Sequence, residues 1–309
     1  EVVDVDPENI ESFANWSPAA GERFAALEEK QISSYEKYSS EPEMVIENWR
    51  KETKRVASRC INPEAAQGVK LSTRQLVVGR VQSGKTTNFT GVMALLADNG
   101  YRFFIVIGGT TKALLQQTKD RLRSDLGDTW FRFFSTADEH SNWRETEEQI
   151  IQNLKDLALA ANNPNMRTPK KAICLTVLKW NDSHLNSVQA LLSKIARLSI
   201  MASTPVAVID DECDTYTPNS NVRNPDEDPT AIHKAVLEVI EKIPVCTYLG
   251  YTATPMANEL QELDDALKPQ KVTLLDPGPD YLGAEDLFDG ESSYPTLITD
   301  WEAETTLPE

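Results

Sequence analysis

Residues Gly79 to Thr86 read GRVQSGKT, two glycines framing four residues and followed by Lys and Thr. Glycines let the chain turn tightly, so that successive backbone N–H groups converge on one concavity. The lysine adds a mobile positive charge. That donor set suits nucleotide phosphates, and ATP is the ligand expected of it. In this reading Gly79, Arg80, Val81, Gln82, Ser83, Gly84, Lys85, Thr86 and Thr87 line the phosphate site. Lys85 reaches the β/γ oxygens and the Thr86 hydroxyl holds Mg²⁺. The competing reading is an ordinary glycine turn beside a surface lysine. Local context favours the first, because apolar Leu76, Val77 and Val78 precede the loop as a strand. Phe89, Val92, Met93 and Leu96 follow it at helical spacing, which puts the loop at a helix N-terminus.

Hydrolysis requires carboxylates as well as a cradle, and residues 205 to 214 supply them as PVAVIDDECD. Val206, Val208 and Ile209 predict a buried parallel strand, with Asp210, Asp211, Glu212 and Asp214 crowded at its C-terminal end. Ligands collect at that edge in open α/β sheets. Asp211 is the expected Mg²⁺ partner, through water, and Glu212 the base that orients the attacking water. Asp210 and Asp211 could exchange roles, since spacing alone does not show which faces the metal. An acidic loop capping a strand is the plain alternative, but four such charges repel unless a cation or solvent relieves them.

A third run, CTYLGYTATP at residues 246 to 255, is another apolar strand ending in two threonines and a proline. Together the phosphate loop, Asp-Glu-Cys-Asp and Thr252-Ala253-Thr254 resemble motifs I, II and III of superfamily 2 helicases and translocases, in the same order. More narrowly, GRVQSGKTTNFTG, VIDDECD, YLGYTATPMAN and YLGAEDLF are similar to the Z1-domain family over roughly residues 70 to 290. Those are bacterial proteins described as endonucleases and linked to restriction or anti-phage systems. The resemblance implies a RecA-like ATPase lobe acting on nucleic acid, expected to be DNA, in a multi-domain protein. Thr252 and Thr254 would couple ATP state to lobe movement. The stretch 110 to 124 would correspond to motif Ia, with Lys112, Lys119, Arg121 and Arg123 as possible contacts to the nucleic-acid backbone. Its plain alternative is an amphipathic helix with Leu115, Thr118 and Leu122 on the core side. Because the chain begins at Glu1 and no second lobe with an arginine finger is evident after Pro255, an N-terminal fragment is expected. A C-terminal helicase lobe and other defence-system subunits are then the implied partners. The competing functions are a metal-dependent endonuclease and a regulatory nucleotide-binding module that gates a partner protein.

Charge limits any simple nucleic-acid reading, because 31 basic against 48 acidic residues leave a net charge of −17. Phosphate backbones are repelled on average, so a binding track must be local or come from another domain. No apolar run approaches the roughly 20 residues of a membrane span, and no basic segment followed by an apolar core opens the chain. A cytoplasmic protein is expected. Cys60, Cys174, Cys213 and Cys246 lack metal-ligand spacing and read as buried thiols. His140, His184 and His233 are equally isolated.

The elements that must position these residues follow from periodicity. Strands are expected at 75–79, 102–108, 131–135, 172–178, 205–210, 246–252 and 271–275. Helices are expected near 86–98, 111–124, 145–161, 184–200 and 230–242. Such alternation predicts an α/β fold: a mainly parallel sheet with helices on both faces. Residues 1–68 form a separate helical segment, with a helix start at Ser17-Pro18 and a stripe through Val45, Trp49, Val56 and Cys60. The ATPase lobe is expected to span 69–275. Residues 276–309 read as an acidic connector tail, and the stretch 215–230, rich in Pro, Asn and Asp, as a loop over the acidic strand end.

Overall fold

The computed structural model describes residues 3–4, 14–65, 69–81, 83–138, 142–162, 171–219, 229–255, 267–279 and 281. Gln82, His140, loop residues 220–228, residues 256–258 of the third motif and residues 282–309 of the acidic tail lie outside the described residues.

The apolar runs are strands of one parallel sheet. In chain order these are β1 (Val3–Asp4), β2 (Val69–Val78), β3 (Phe103–Gly108), β4 (Phe131–Ser135), β5 (Ala172–Leu178), β6 (Val206–Asp211), β7 (Val245–Thr252) and β8 (Lys271–Leu274). Across the sheet the order is β1-β2-β7-β6-β3-β5-β4, and β8 pairs with β2 along the edge it shares with β1. Every described pairing is parallel. Strands β3, β5 and β7 are buried at every position, as expected of parallel strands covered on both faces.

Helices α1 (Glu22–Tyr38), α2 (Pro42–Ala57), α3 (Lys85–Asp98) and α4 (Lys112–Trp130) cover one face. Helices α5 (Trp143–Asn162), α6 (Asp182–Ile195), α7 (Ser199–Ser203) and α8 (Ala231–Glu241) cover the other. Alternation along β3 assigns its side chains. Phe104 and Val106 join Phe24, Trp49, Phe89 and Leu122 in one core, while Phe103, Ile105 and Ile107 join Ile150, Leu185 and Val236 in the second. Helix α3 is buried on nearly all sides, from Thr87 through Ala97, because the sheet lies beneath it and α1 and α2 lie over it. The N-terminal helices thus share a core with the phosphate-loop helix.

Several expected boundaries move, among them the end of α4, at Trp130 rather than 124, and the end of α6, at Ile195 rather than 200. Strand β2 starts at Val69, six residues before the predicted Gln75. Its leading half buries Leu71, Thr73 and Gln75 alternately, and two of those three are polar, so a search for apolar runs overlooks them. Two of their polar groups find partners across the sheet: Gln75 Nε2 donates to Thr273 Oγ1 at 2.7 Å and Thr73 Oγ1 to Thr247 Oγ1 at 3.5 Å. Helix α1 starts at Glu22 rather than at Ser17-Pro18, with Gly21 as its capping residue. Glycine has no side chain to cap with, and the Asp98 carboxylate at the end of α3 takes that role. It accepts the backbone N–H groups of Gly21 (2.9 Å), Arg23 (3.2 Å) and Phe24 (2.9 Å), and pairs with the Arg23 guanidinium at 3.2 Å. A negative group at a helix N-terminus also meets the positive end of the helix dipole.

Asp98 therefore fastens α1 to α3, and Asp98→Ala is expected to lower the unfolding free energy by about 3 kcal/mol. Urea denaturation of both proteins measures this, and a loss under about 0.5 kcal/mol would show that α1 docks by apolar packing alone.

Candidate nucleotide site

The phosphate loop leaves β2 at Val78 and enters α3 at Lys85, the strand, turn and helix that the sequence demands. Gly84 caps the helix at φ +81°, a left-handed conformation that glycine adopts without steric cost. A side chain at Gly79 would strike Lys85 Cγ at 2.8 Å and Ser83 Oγ at 2.9 Å, so only glycine lets the lysine lie across the loop. Lys85 Nζ donates to the carbonyls of Gly79 (3.3 Å) and Arg80 (3.1 Å), and the buried Ser83 hydroxyl has no partner among the described residues. Burial lowers the Lys85 pKa, while the nearby carboxylates of Asp211, Glu212 and Asp214 oppose that shift.

Register brings the acidic turn alongside. Val78 stands opposite Thr252, and Tyr251 opposite Asp211, so β2, β7 and β6 end together. The Gly79 N–H donates to Thr252 O at 3.0 Å and the Cys213 N–H to Tyr251 O at 2.9 Å, which ties both turns to the end of β7. Thr86, Gly109, Thr118, Arg121, Asp211 and Glu212 then line one cavity of about 210 Å³. Arg121 Nη2 donates to Thr87 Oγ1 at 3.0 Å, which fixes its guanidinium beside the loop.

The two candidate aspartates separate cleanly. Asp210 is fully buried and pairs with the Lys179 ammonium at 2.5 Å. It also accepts the hydroxyls of Thr217 and Tyr248, each at 2.8 Å. Asp211 is only partly buried and lies on the cavity with Thr86. Burial and then the neighbouring Glu212 charge push its pKa up to about 6, against the pull of Lys179. An all-oxygen donor set of one hydroxyl and one crowded carboxylate fits a hard divalent cation such as Mg²⁺. Exposed Glu212 has φ +51°, an uncommon conformation for a residue with a side chain. Lys179 Nζ holds this turn too, donating to Asp211 O at 3.2 Å and Glu212 O at 3.0 Å. Sequence reading missed Lys179. Its only signal was a lysine directly after a strand that is apolar except for Thr176.

Asp214 links the turn to the two threonines. Thr252 Oγ1 donates to its Oδ1 at 2.6 Å and Thr254 Oγ1 to its Oδ2 at 2.5 Å. Of the basic residues on α4, Lys119 is corrected: it is buried and paired with Asp138 at 2.5 Å, because its stem points into the core one position past the expected Thr118. Arg123 stacks on Phe133 at 5.5 Å and pairs with Asp128 at 3.2 Å, and Lys112 lies exposed in the first turn. All four cysteines are buried, and burial raises each thiol pKa.

Strand order, phosphate loop and acidic strand end are now fixed together. The fold is a RecA-like parallel α/β lobe. Comparison with solved structures gives the helicase domain of Pyrococcus furiosus Hef (12% identity, TM-score 0.42, 72% of this chain and 37% of that one). It also gives a DEAD box protein from Methanococcus jannaschii (12%, 0.40, 75% and 53%) and the DUF1998 helicase MrfA (16%, 0.44, 85% and 33%). The chain spans between a third and about half the length of these proteins. No protein-family model matches it, and neither does any curated protein. Among the described residues no helix is long and apolar enough to cross a membrane.

Two outcomes test the acidic turn. Burial and the neighbouring Glu212 push the Asp211 pKa up to about 6, whereas an unfolded aspartate titrates at roughly 4. Between those values the native state binds more protons than the unfolded chain, so this group's contribution to stability falls as pH rises from 4 to 6. In metal-free buffer Asp211→Asn should gain on the order of 2 kcal/mol over wild type between pH 4 and pH 7. Urea curves at both pH values check it, and a constant offset would remove Asp211 as a crowded carboxylate. Lys179→Met leaves Asp210 buried and uncompensated, at a cost of about 3–5 kcal/mol. Adding Asp210→Asn should recover at least half of that loss, and no recovery would mean that Lys179 acts through packing alone.

Proposed function

We propose that this lobe binds Mg-ATP and hydrolyses it as the motor part of a nucleic-acid-acting protein. The observation that carries the proposal is the shared cavity at the mouth of the phosphate loop, where Thr86, Arg121, Asp211 and Glu212 meet. Backbone N–H groups of the loop and the Lys85 ammonium bind the phosphates. Thr86 and Asp211 hold Mg²⁺, which when bound neutralises charge developing on the transferred phosphoryl group. Glu212, exposed on a turn that Lys179 fixes, orients the attacking water and accepts its proton. Asp210 is spent on Lys179, Thr217 and Tyr248, which supports Asp211 as the metal residue.

Asp214 offers a route for coupling. A shift of the acidic turn on hydrolysis changes both threonine hydrogen bonds, and Thr252 and Thr254 pass it to the segment that follows them. Lys112 and Arg123 are the candidate backbone contacts left on α4. The motif set is the support for DNA as the partner, and for a Z1-type protein of bacterial restriction or phage defence.

Calorimetry and phosphate release test the assignment together. Lys85→Ala should weaken Mg-ATP binding at least a hundredfold, about 2.7 kcal/mol. Glu212→Gln should bind within about threefold of wild type yet release phosphate at least a hundredfold more slowly, as loss of a general base does. Unchanged affinity in Lys85→Ala would discard the phosphate site, and normal turnover in Glu212→Gln would discard the base.

A further inference from the structure

One face of α4 looks into the cavity of the acidic turn. Leu114, Gln117, Thr118 and Arg121 recur at helical spacing and line it together with Thr86, Asp211 and Glu212. Gly109 is what lets the helix come so close. Its φ of +72° turns the chain at the end of β3, and a side chain there would meet the Leu115 backbone nitrogen at 2.7 Å. Thr111 then caps α4 by accepting the Leu114 N–H at 3.2 Å.

The cations of α4 differ in their partners. Lys119 and Arg123 are each paired with an aspartate, at 2.5 and 3.2 Å, whereas exposed Arg121 forms no ion pair with a described carboxylate. Its Nη2 donates to Thr87 Oγ1 at 3.0 Å, and its other N–H groups make no hydrogen bond to a described residue. Thr87 is buried and directly follows Thr86, so the guanidinium is tethered one residue from the hydroxyl assigned to Mg²⁺. A neutral tether leaves its charge unspent. Asp211 and Glu212 line the same cavity without capturing that charge, and about 210 Å³ of space lies among these groups. Hydroxyl and carboxylate suit the metal and the attacking water, and a forked cation suits the oxygens of the phosphoryl group between them.

We infer that Arg121 is a catalytic residue of this lobe, donating from its fork to the phosphoryl oxygens of bound ATP during hydrolysis. The inference rests on the nucleotide reading above and supplies its arginine from within the lobe. It also removes Arg121 from the nucleic-acid contacts expected of α4. In the step, the water oxygen bonds to the γ-phosphorus while the bond from that phosphorus to the β,γ-bridging oxygen breaks. The water proton passes to Glu212, and the bridging oxygen keeps the bonding electrons and leaves with ADP. Arg121 holds its protons throughout, because a guanidinium does not titrate in this range.

Calorimetry with Mg-ADP, with and without aluminium fluoride, tests this apart from turnover, since the fluoride complex stands in for the phosphoryl group in transfer. Wild type should bind the fluoride complex at least about a hundredfold more tightly than Mg-ADP alone. In Arg121→Ala that ratio should fall below about tenfold, while Mg-ADP affinity stays within about threefold of wild type and reports a folded loop. Phosphate release should slow at least about a hundredfold. Binding of single-stranded DNA should stay within about twofold of wild type. An unchanged fluoride ratio in Arg121→Ala would overturn the inference, and lost strand binding beside it would return Arg121 to the nucleic-acid track. Equal losses with and without fluoride would overturn it as well, leaving Arg121 as a support of the loop through Thr87. A wild type that binds Mg-ADP but gains nothing from fluoride would overturn it and leave the nucleotide site standing. If wild type bound no Mg-ADP at all, the nucleotide reading and this inference would fall together.

Discussion

A buried ammonium governs the acidic end of this sheet. Four carboxylates within five residues cannot share one strand end unless some of their charge is met. Lys179, 1% exposed, meets it from the end of β5 by pairing with Asp210 and donating to the carbonyls of Asp211 and Glu212. One cation thus neutralises Asp210 and fixes the turn that aims Asp211 and Glu212. With Asp210 spent internally, Asp211 is left crowded beside Glu212 on the open side. Burial first, and then that crowding, raise its pKa, and a divalent cation at the cavity would relieve the crowding.

The parallel ladder explains why that turn, the phosphate loop and the two threonines meet. Evenly registered parallel strands about 4.8 Å apart carry their C-terminal ends to one edge. Strand β7 lies between β2 and β6, so its end is bound to both loops through backbone hydrogen bonds. Asp214 then makes two side-chain bonds to that strand end. Loop, acidic turn and threonines are mechanically one unit, and none of the three can shift without altering hydrogen bonds to another.

The N-terminal helices enter the same unit from above. Helix α3 is buried nearly all round, with apolar residues filling its second half from Gly91 to Ala97. Asp98 caps α1 at one end of α3, and the Trp49 indole binds Thr87 O at the other. The stacked Phe24 and Trp49 rings, 5.2 Å apart, close the layer between. The position of the phosphate-loop helix therefore depends on α1 and α2 as much as on the sheet.

Local sequence determined the strands of hydrophobic residues, the glycine loop and the acidic strand end. Those features need only period, turn chemistry and charge, and β4 and β5 fall where their apolar runs predict. Strand β2 was half legible because its leading residues bury threonine and glutamine, whose satisfaction depends on a partner nearly two hundred residues away. Lys119 read as a surface cation because helical spacing does not show that Asp138 waits behind it. Likewise, spacing could not choose between Asp210 and Asp211, adjacent residues on a strand whose side chains point to opposite faces. Only the tertiary structure decided that choice, by bringing Lys179, Thr217 and Tyr248 to one aspartate and Thr86 to the other. Periodicity reports which side of an element is buried, whereas partnership of buried polar groups is set by elements far apart in the chain.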